Sequence, residues 1–201
     1  MQRVKGWHGP RSVGLLGLVA LSACRAPTQV QVEVTTDALC VDVKGTSLTA
    51  GTMQDYESRP PAAETSACDA GRVGSLTIVP SEDSGALFGV RVVMGITKTP
   101  EQCVQSNYQG GCIVARRVLR FVPNETLHLP VQMDLACLDI PCGLTQTCRA
   151  GSCVDATIPD PDTCLSADGC ALGGAGAPPI VDSGGGVASS GGASGAGASG
   201  N

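Results

Sequence analysis

The sequence predicts a mainly β protein: an antiparallel β-sandwich, then a small disulfide-rich module, then a disordered tail. Three observations carry that expectation. Between residues 29 and 135, short segments alternate apolar and polar residues with period two, separated by turn residues, and no helical period intervenes. From Cys137 to Cys170 the apolar period stops and six cysteines fall within 34 residues. The last 31 residues hold 11 glycines, one charge and no aromatic ring.

The chain opens with a basic stretch carrying Arg3, Lys5 and Arg11, and then an uncharged run of 11 residues from Val13 to Ala23. A helix that crosses a bilayer needs roughly 20 apolar residues, so the run fits the apolar middle of a secretory signal and not a span. It ends Leu21-Ser22-Ala23-Cys24. This stretch resembles the lipobox of bacterial lipoproteins at all four positions. The resemblance implies cleavage between Ala23 and Cys24, a diacylglyceryl group on the Cys24 thiol and acylation of the new amine. Several acyl chains anchor a protein stably where one binds only marginally. In that family an Asp after the cysteine favours the inner membrane; residue 25 is Arg, which points to the outer membrane of a Gram-negative envelope. The expected organisation is a signal at 1–23, a lipidated tether at 24–28, a sandwich at 29–135, a cysteine-rich module at 136–170 and a tail at 171–201.

Without residues 1–23 the chain has 10 basic and 18 acidic residues, a formal net charge of −8. Such a surface repels nucleic acid, which is excluded as a partner. Its aromatic residues are Phe88, Phe121, Tyr56 and Tyr108. With few rings to fill a core, Val, Leu, Ile and covalent staples must do so. There are 11 cysteines. An odd count in an exported chain leaves one thiol to explain. Assigning Cys24 to lipid leaves Cys40, Cys68, Cys103, Cys112, Cys137, Cys142, Cys148, Cys153, Cys164 and Cys170, enough for five disulfides.

Val30 to Val34 alternates cleanly and predicts a half-buried strand, and Cys40 to Lys44 predicts a second short one. Residues 45–71 are polar and irregular, with at most one weak strand expected, near Leu48. Leu76 to Val79 is a strand stopped by Pro80, and an acidic turn follows at Glu82-Asp83-Ser84-Gly85. The most apolar segment, Leu87 to Ile96, is the expected central strand, with Gly89 and Gly95 marking a bulge or a close backbone approach. Residues 97–111 are expected as a polar loop flanked by Cys103 and Cys112. Ile113 to Phe121 is a strand in which Arg117 shares a face with Ile113, Ala115 and Leu119. That predicts a bulge at Arg116-Arg117 or an edge strand with an inward charge. After the Pro123-Asn124 turn, Leu127, Leu129, Val131, Met133 and Leu135 form one stripe, and Pro130 places the strand at an edge. Six or seven such strands suggest a sandwich of the immunoglobulin-like or transthyretin-like kind.

The module is too small to fold on apolar burial alone, and its six cysteines leave fifteen pairings open. Cys142-Gly143-Leu144-Thr145-Gln146-Thr147-Cys148-Arg149-Ala150-Gly151-Ser152-Cys153 resembles EGF-like fragments and segments of myxobacterial cysteine-rich surface lipoproteins. In those lipoproteins a β-domain precedes such a knot; here the likeness covers Cys137 to Cys153. The tail has too little apolar surface to offset its ordering entropy.

Other chemistry is weakly signalled. The tightest spacings are Cys-x4-Cys at 137/142 and 148/153, no Cys-x2-Cys occurs, and an oxidising compartment favours disulfides over zinc. Asp160-Pro161-Asp162 and Asp168-Gly169 faintly suggest a calcium loop, but the EF-hand pattern fails at Cys164 and Leu165. His128 lies beside Gln132 and Asp134 with no nucleophile motif in sequence. Asn124-Glu125-Thr126 has only the form of a sequon. No catalytic, metal or cofactor site is expected. The leading expectation is a non-enzymatic envelope lipoprotein, membrane-bound through its lipid, with loops 45–71 and 97–111 offered to an envelope protein or a glycan. A structural or assembly subunit of an outer-membrane complex comes second. A secreted hydrolase, which would gather carboxylates or His128 in a pocket, comes last.

Overall fold

The computed structural model describes residues 25–80, 85–166, 169 and 170. The lipobox, Glu82 to Ser84, Asp168 and the glycine-rich tail lie outside them. The elements in chain order are β1 (Gln29–Thr36), β2 (Gly45–Thr52), β3 (Ala63–Thr65), β4 (Arg72–Ile78), β5 (Leu87–Gly95), α1 (Pro100–Gln105), β6 (Cys112–Arg120), β7 (Thr126–Met133), β8 (Gln146–Arg149) and β9 (Ser152–Asp155). Two sheets form the body, one ordered β4-β1-β7 and the other β3-β2-β5-β6, with β8 and β9 a separate hairpin. The protein is mainly β and sandwich-like, and antiparallel in all pairings but one: β1 runs parallel to β7 from Gln29↔Thr126 to Thr36↔Met133.

The core follows from the alternation. Val30, Val32 and Val34 point inward from β1, and Leu127, Leu129, Val131 and Met133 from β7. They meet Leu48, Phe88, Val90, Val92, Met94, Ile113, Ala115 and Leu119 from the other sheet. Each full burial of such a side chain stabilises by about 1.5 to 3 kcal/mol. Phe88 and Phe121, the only phenylalanines, stack with centroids 4.2 Å apart.

Several expectations need correction. Cys40 to Lys44 is a turn, not a strand; Asp42 N–H donates to the Leu39 carbonyl and Val41 is exposed. The physical reason is topological, because β1 and β2 belong to different sheets and this piece must cross between them. Residues 45–71 hold two strands. β2 reads poorly because both its faces are covered, so Gly45 to Leu48 and Thr49 are all buried and no alternation survives. The polar loop 97–111 contains α1. Thr99 and Gln102 form its capping box, and Pro100 sits at the first turn. No bulge occurs at Arg116-Arg117, where β5 and β6 stay in register from Leu87↔Arg120 to Gly95↔Cys112. The strand is a terminal one, as the alternative reading had it. Leu135 leaves the β7 stripe for a 3-10 turn and is largely exposed. Gly95 and Gly89 mark close approach without a bulge: a Cβ on Gly95 would collide with the Lys98 carbonyl.

The cysteine-rich stretch 136–170 packs onto the body. Cys137, Cys148, Ile158, Cys164 and Cys170 belong to the same core cluster as the sheets. Its backbone also finishes the free edge of β6. Val118 N–H donates to the Ala156 carbonyl at 2.9 Å and its carbonyl accepts from Ile158 N–H at 2.8 Å. Arg116 N–H donates to Thr147 Oγ1 at 3.0 Å, and Asp139 Oδ1 accepts from Gly111 and Cys112 N–H at 2.7 and 3.2 Å. On β7 the His128 carbonyl accepts from Cys170 N–H at 3.2 Å.

Candidate functional site

The two stretches expected to present a binding surface meet on the outer face of the β3-β2-β5-β6 sheet. After β2 the chain turns back over that face. Tyr56 N–H donates to the Thr52 carbonyl at 3.0 Å, Thr52 Oγ1 to Asp55 at 2.9 Å, and Asp55 pairs with Arg59 at 2.9 Å. The Tyr56 ring then lies on Gly89, where a Cβ would come within 2.6 Å of it. Glycine at that place in β5 is what lets the ring reach the sheet. The Tyr56 hydroxyl donates to the Leu144 carbonyl at 2.6 Å, tying this turn to the cysteine-rich stretch. From the other side comes the segment after α1, closed by the Cys103–Cys112 bridge. It carries Tyr108 at φ 60°, a left-handed backbone that a ring-bearing residue adopts only when its surroundings hold it.

Between these two flaps stand Arg91 of β5 and Arg116 of β6, 4% and 1% exposed. Glu57, 22% exposed at its side chain, joins them. Its Oε1 accepts from Arg116 Nε at 2.5 Å and its Oε2 from Arg91 Nη1 at 3.3 Å. Arg91 also donates to Thr49 Oγ1 and to the Tyr108 hydroxyl, each at 3.2 Å, while that hydroxyl donates to Glu57 at 3.2 Å. Arg116 reaches the Pro141 carbonyl at 2.7 Å and stands 5.2 Å from the Tyr108 ring centre, within cation–π range. Arg91 Nε is buried without a hydrogen-bond partner among the described residues.

Burial alone would raise the Glu57 carboxyl. The Arg116 hydrogen bond and the two guanidinium charges outweigh it and hold the group below the ordinary value of 4.5. Burial, helped by the Glu57 charge, pushes Tyr56 up to about 12 and raises Tyr108 as well. At neutral pH the centre is therefore two guanidiniums, one carboxylate and two neutral phenols. A carboxylate pinned by two cations is a poor base, and a phenol at about 12 a poor acid. The centre holds two flaps on a sheet.

The other anticipated residues fall elsewhere. The ten cysteines pair as Cys40–Cys68, Cys103–Cys112, Cys137–Cys148, Cys142–Cys153 and Cys164–Cys170, so none of these sulfurs is free to ligate zinc or attack a substrate. Asp160 spends its carboxylate on Asp162 N–H at the start of a 3-10 turn. His128 is half-buried on β7, apart from Glu57 and its arginines on β5 and β6. Among the described residues no group of three His, Cys, Asp or Glu side chains gathers to hold a metal. Arg117, inward-facing opposite Val90, is fully buried; burial and the nearby Arg149 charge pull it down to about 10. It donates to Thr147 Oγ1 at 3.1 Å and to the Arg116 carbonyl at 2.8 Å.

Sequence reading missed Glu57 and Arg91 altogether. A lone Arg inside Val90 to Met94 was a usable signal, since a charge in an apolar strand demands a partner. That partner lies 34 residues away, and nothing local identifies it. The chain matches no protein-family model, no curated protein and no solved structure.

Proposed function

We propose that this chain is an exported, lipid-anchored, non-enzymatic module of the cell envelope whose two flapped loops serve recognition of a protein or glycan. One observation supports it most. The ten cysteines from Cys40 to Cys170 are all consumed pairwise, which leaves Cys24 as the one thiol of the chain without a disulfide role. Five bridges suit an oxidising compartment. The leftover sulfur stands at the position that a lipobox would acylate. The Gram-negative outer membrane is the destination that Arg25 favours. A structural or assembly role is the second reading, favoured by the unsealed side of the sandwich described below.

The test is the mass of the N-terminal peptide from a membrane fraction, together with the fractionation of Cys24→Ala. The expected results are a triacylated Cys24 at the new N-terminus and a variant released from the membrane. An unmodified Cys24, or a variant that stays bound, removes the proposal. Crosslinking on intact cells then seeks the partner, with loss of the crosslink expected when residues 53–59 are replaced by a glycine-serine turn.

A further inference from the structure

Among the described residues the sandwich has a second open surface, away from the flaps. β4 and β3 are the terminal strands of their respective sheets, and both line one hollow of about 250 Å³ between the sheets. Its walls are mainly Val34, Leu48, Val73, Leu76 and Ala63. The hollow exists because the inward position of β4 opposite Val34 is Gly74, where a Cβ would meet nothing within 4 Å. Gly74 is exposed there, while its neighbour Val73 is buried in the core. Thr46 lines this hollow and the adjoining one along Lys44, Glu64 and Thr99; it is 4% exposed, and its hydroxyl has no hydrogen-bond partner among the described residues. Buried hydroxyls without partners are rare because each forfeits its hydration.

We propose that this side binds an extended polypeptide of another protein, added as a strand along β4 with one apolar side chain seated in the Gly74 hollow. Three needs select that class of occupant. The hollow wants an apolar group of a few carbons. The Thr46 hydroxyl wants a polar partner beside it. A terminal strand offers backbone N–H and C=O groups that only another backbone can pair regularly. A hydrocarbon meets the first need alone and a glycan the second alone, whereas an extended peptide meets all three. The inference rests on the reading of the chain as a binding module and is independent of its lipid. Cys24→Ala leaves peptide binding intact, and loss of peptide binding leaves membrane fractionation intact, so the two readings fail separately.

The experiment uses the oxidised full chain and two fluorescein-labelled octapeptides. One alternates threonine and valine; the other carries proline at two central positions and cannot pair as a strand. The alternating peptide is expected to raise anisotropy and to slow hydrogen exchange within Arg72–Ile78, and the proline peptide to do neither. Ala63→Phe, which puts a ring at the mouth of the hollow, weakens binding tenfold or more. Thr46→Val weakens it about threefold while raising the melting temperature of the free protein, which keeps the test open if the larger substitution disturbs folding. Equal binding of both peptides, binding of neither, or slowed exchange away from β4 overturns the proposal. So does a dimer whose β4 protection rises with protein concentration alone, since the occupant would then be a second copy of this chain.

Discussion

The two long sides of the sandwich are finished differently. On the β6–β7 side, Thr147, Ala156, Ile158 and Asp139 hydrogen-bond to β6 and Cys170 to β7. Ile158 and the cysteines Cys137, Cys148, Cys164 and Cys170 extend the core. On the β3–β4 side no further strand among the described residues pairs with either, and both line a hollow of about 250 Å³. An uncovered edge invites pairing with foreign strands, and proteins ordinarily blunt it. Here a whole cysteine-rich stretch blunts one side and leaves the other. Covering β6 and β7 is therefore what the cysteine-rich stretch does for the fold, and our proposal puts binding on the opposite side.

The largest expected effect tests the seal. Cys137→Ala with Cys148→Ala should cost about 3 kcal/mol in urea unfolding. Hydrogen exchange at Arg116 and Val118 should quicken first. The informative control is Cys40→Ala with Cys68→Ala. On chain entropy alone the longer loop, 28 residues against 11, should matter more, by about 0.8 kcal/mol. We expect the reverse order, because Cys137 and Cys148 are buried in the core cluster and the Cys40–Cys68 bridge clips a partly exposed turn. If the longer loop wins, the module is a tethered appendage and the contrast between the two sides fails.

Next in size is Glu57→Gln. It leaves two buried guanidiniums facing a neutral amide, and the expected loss is about 2 to 3 kcal/mol, toward the low end because Glu57 is partly solvated. The pH dependence follows from the direction of the shift. The folded carboxyl titrates below 4.5, so its contribution is complete above that value and fades as pH falls through the folded pKa. Wild type and variant should then converge in acid and diverge above about pH 5, a pattern that thermal melts from pH 2 to 7 would read. A constant gap across that range would mean that Glu57 acts through packing and not through charge.

How much of this was legible varies with what covers each residue. β1 and β7 were readable because one face of their sheet is solvated, so Gln31, Glu33 and His128 interrupt the valines and leucines at period two. β2 was nearly invisible because its outer face lies under the flap that carries Tyr56, and its small residues are buried on both sides. α1 carried its own signal in Thr99-Pro100-Glu101-Gln102, overlooked because six residues have no period to detect. The disulfide parity was readable, but the pairing was not: six cysteines at these spacings fit many knots, and the sheet edge chose among them. The Glu57 centre was not readable at all, since it exists only once two loops have folded over β5 and β6.

The smallest expected effect separates the two sides most sharply, because the same substitution should have opposite signs on them. On the sealed side Thr147 Oγ1 accepts from Arg116 N–H and from Arg117 Nη1, both buried. Thr147→Val keeps the shape and strands two donors, one of them cationic, so it should cost about 2 kcal/mol. On the open side Thr46 Oγ1 has no partner to lose. Thr46→Val removes a desolvated hydroxyl and should stabilise by about 1 kcal/mol. If both variants are destabilised alike in denaturant titrations, the Thr46 hydroxyl is satisfied in solution, and the open side is only a shallow irregularity of the surface.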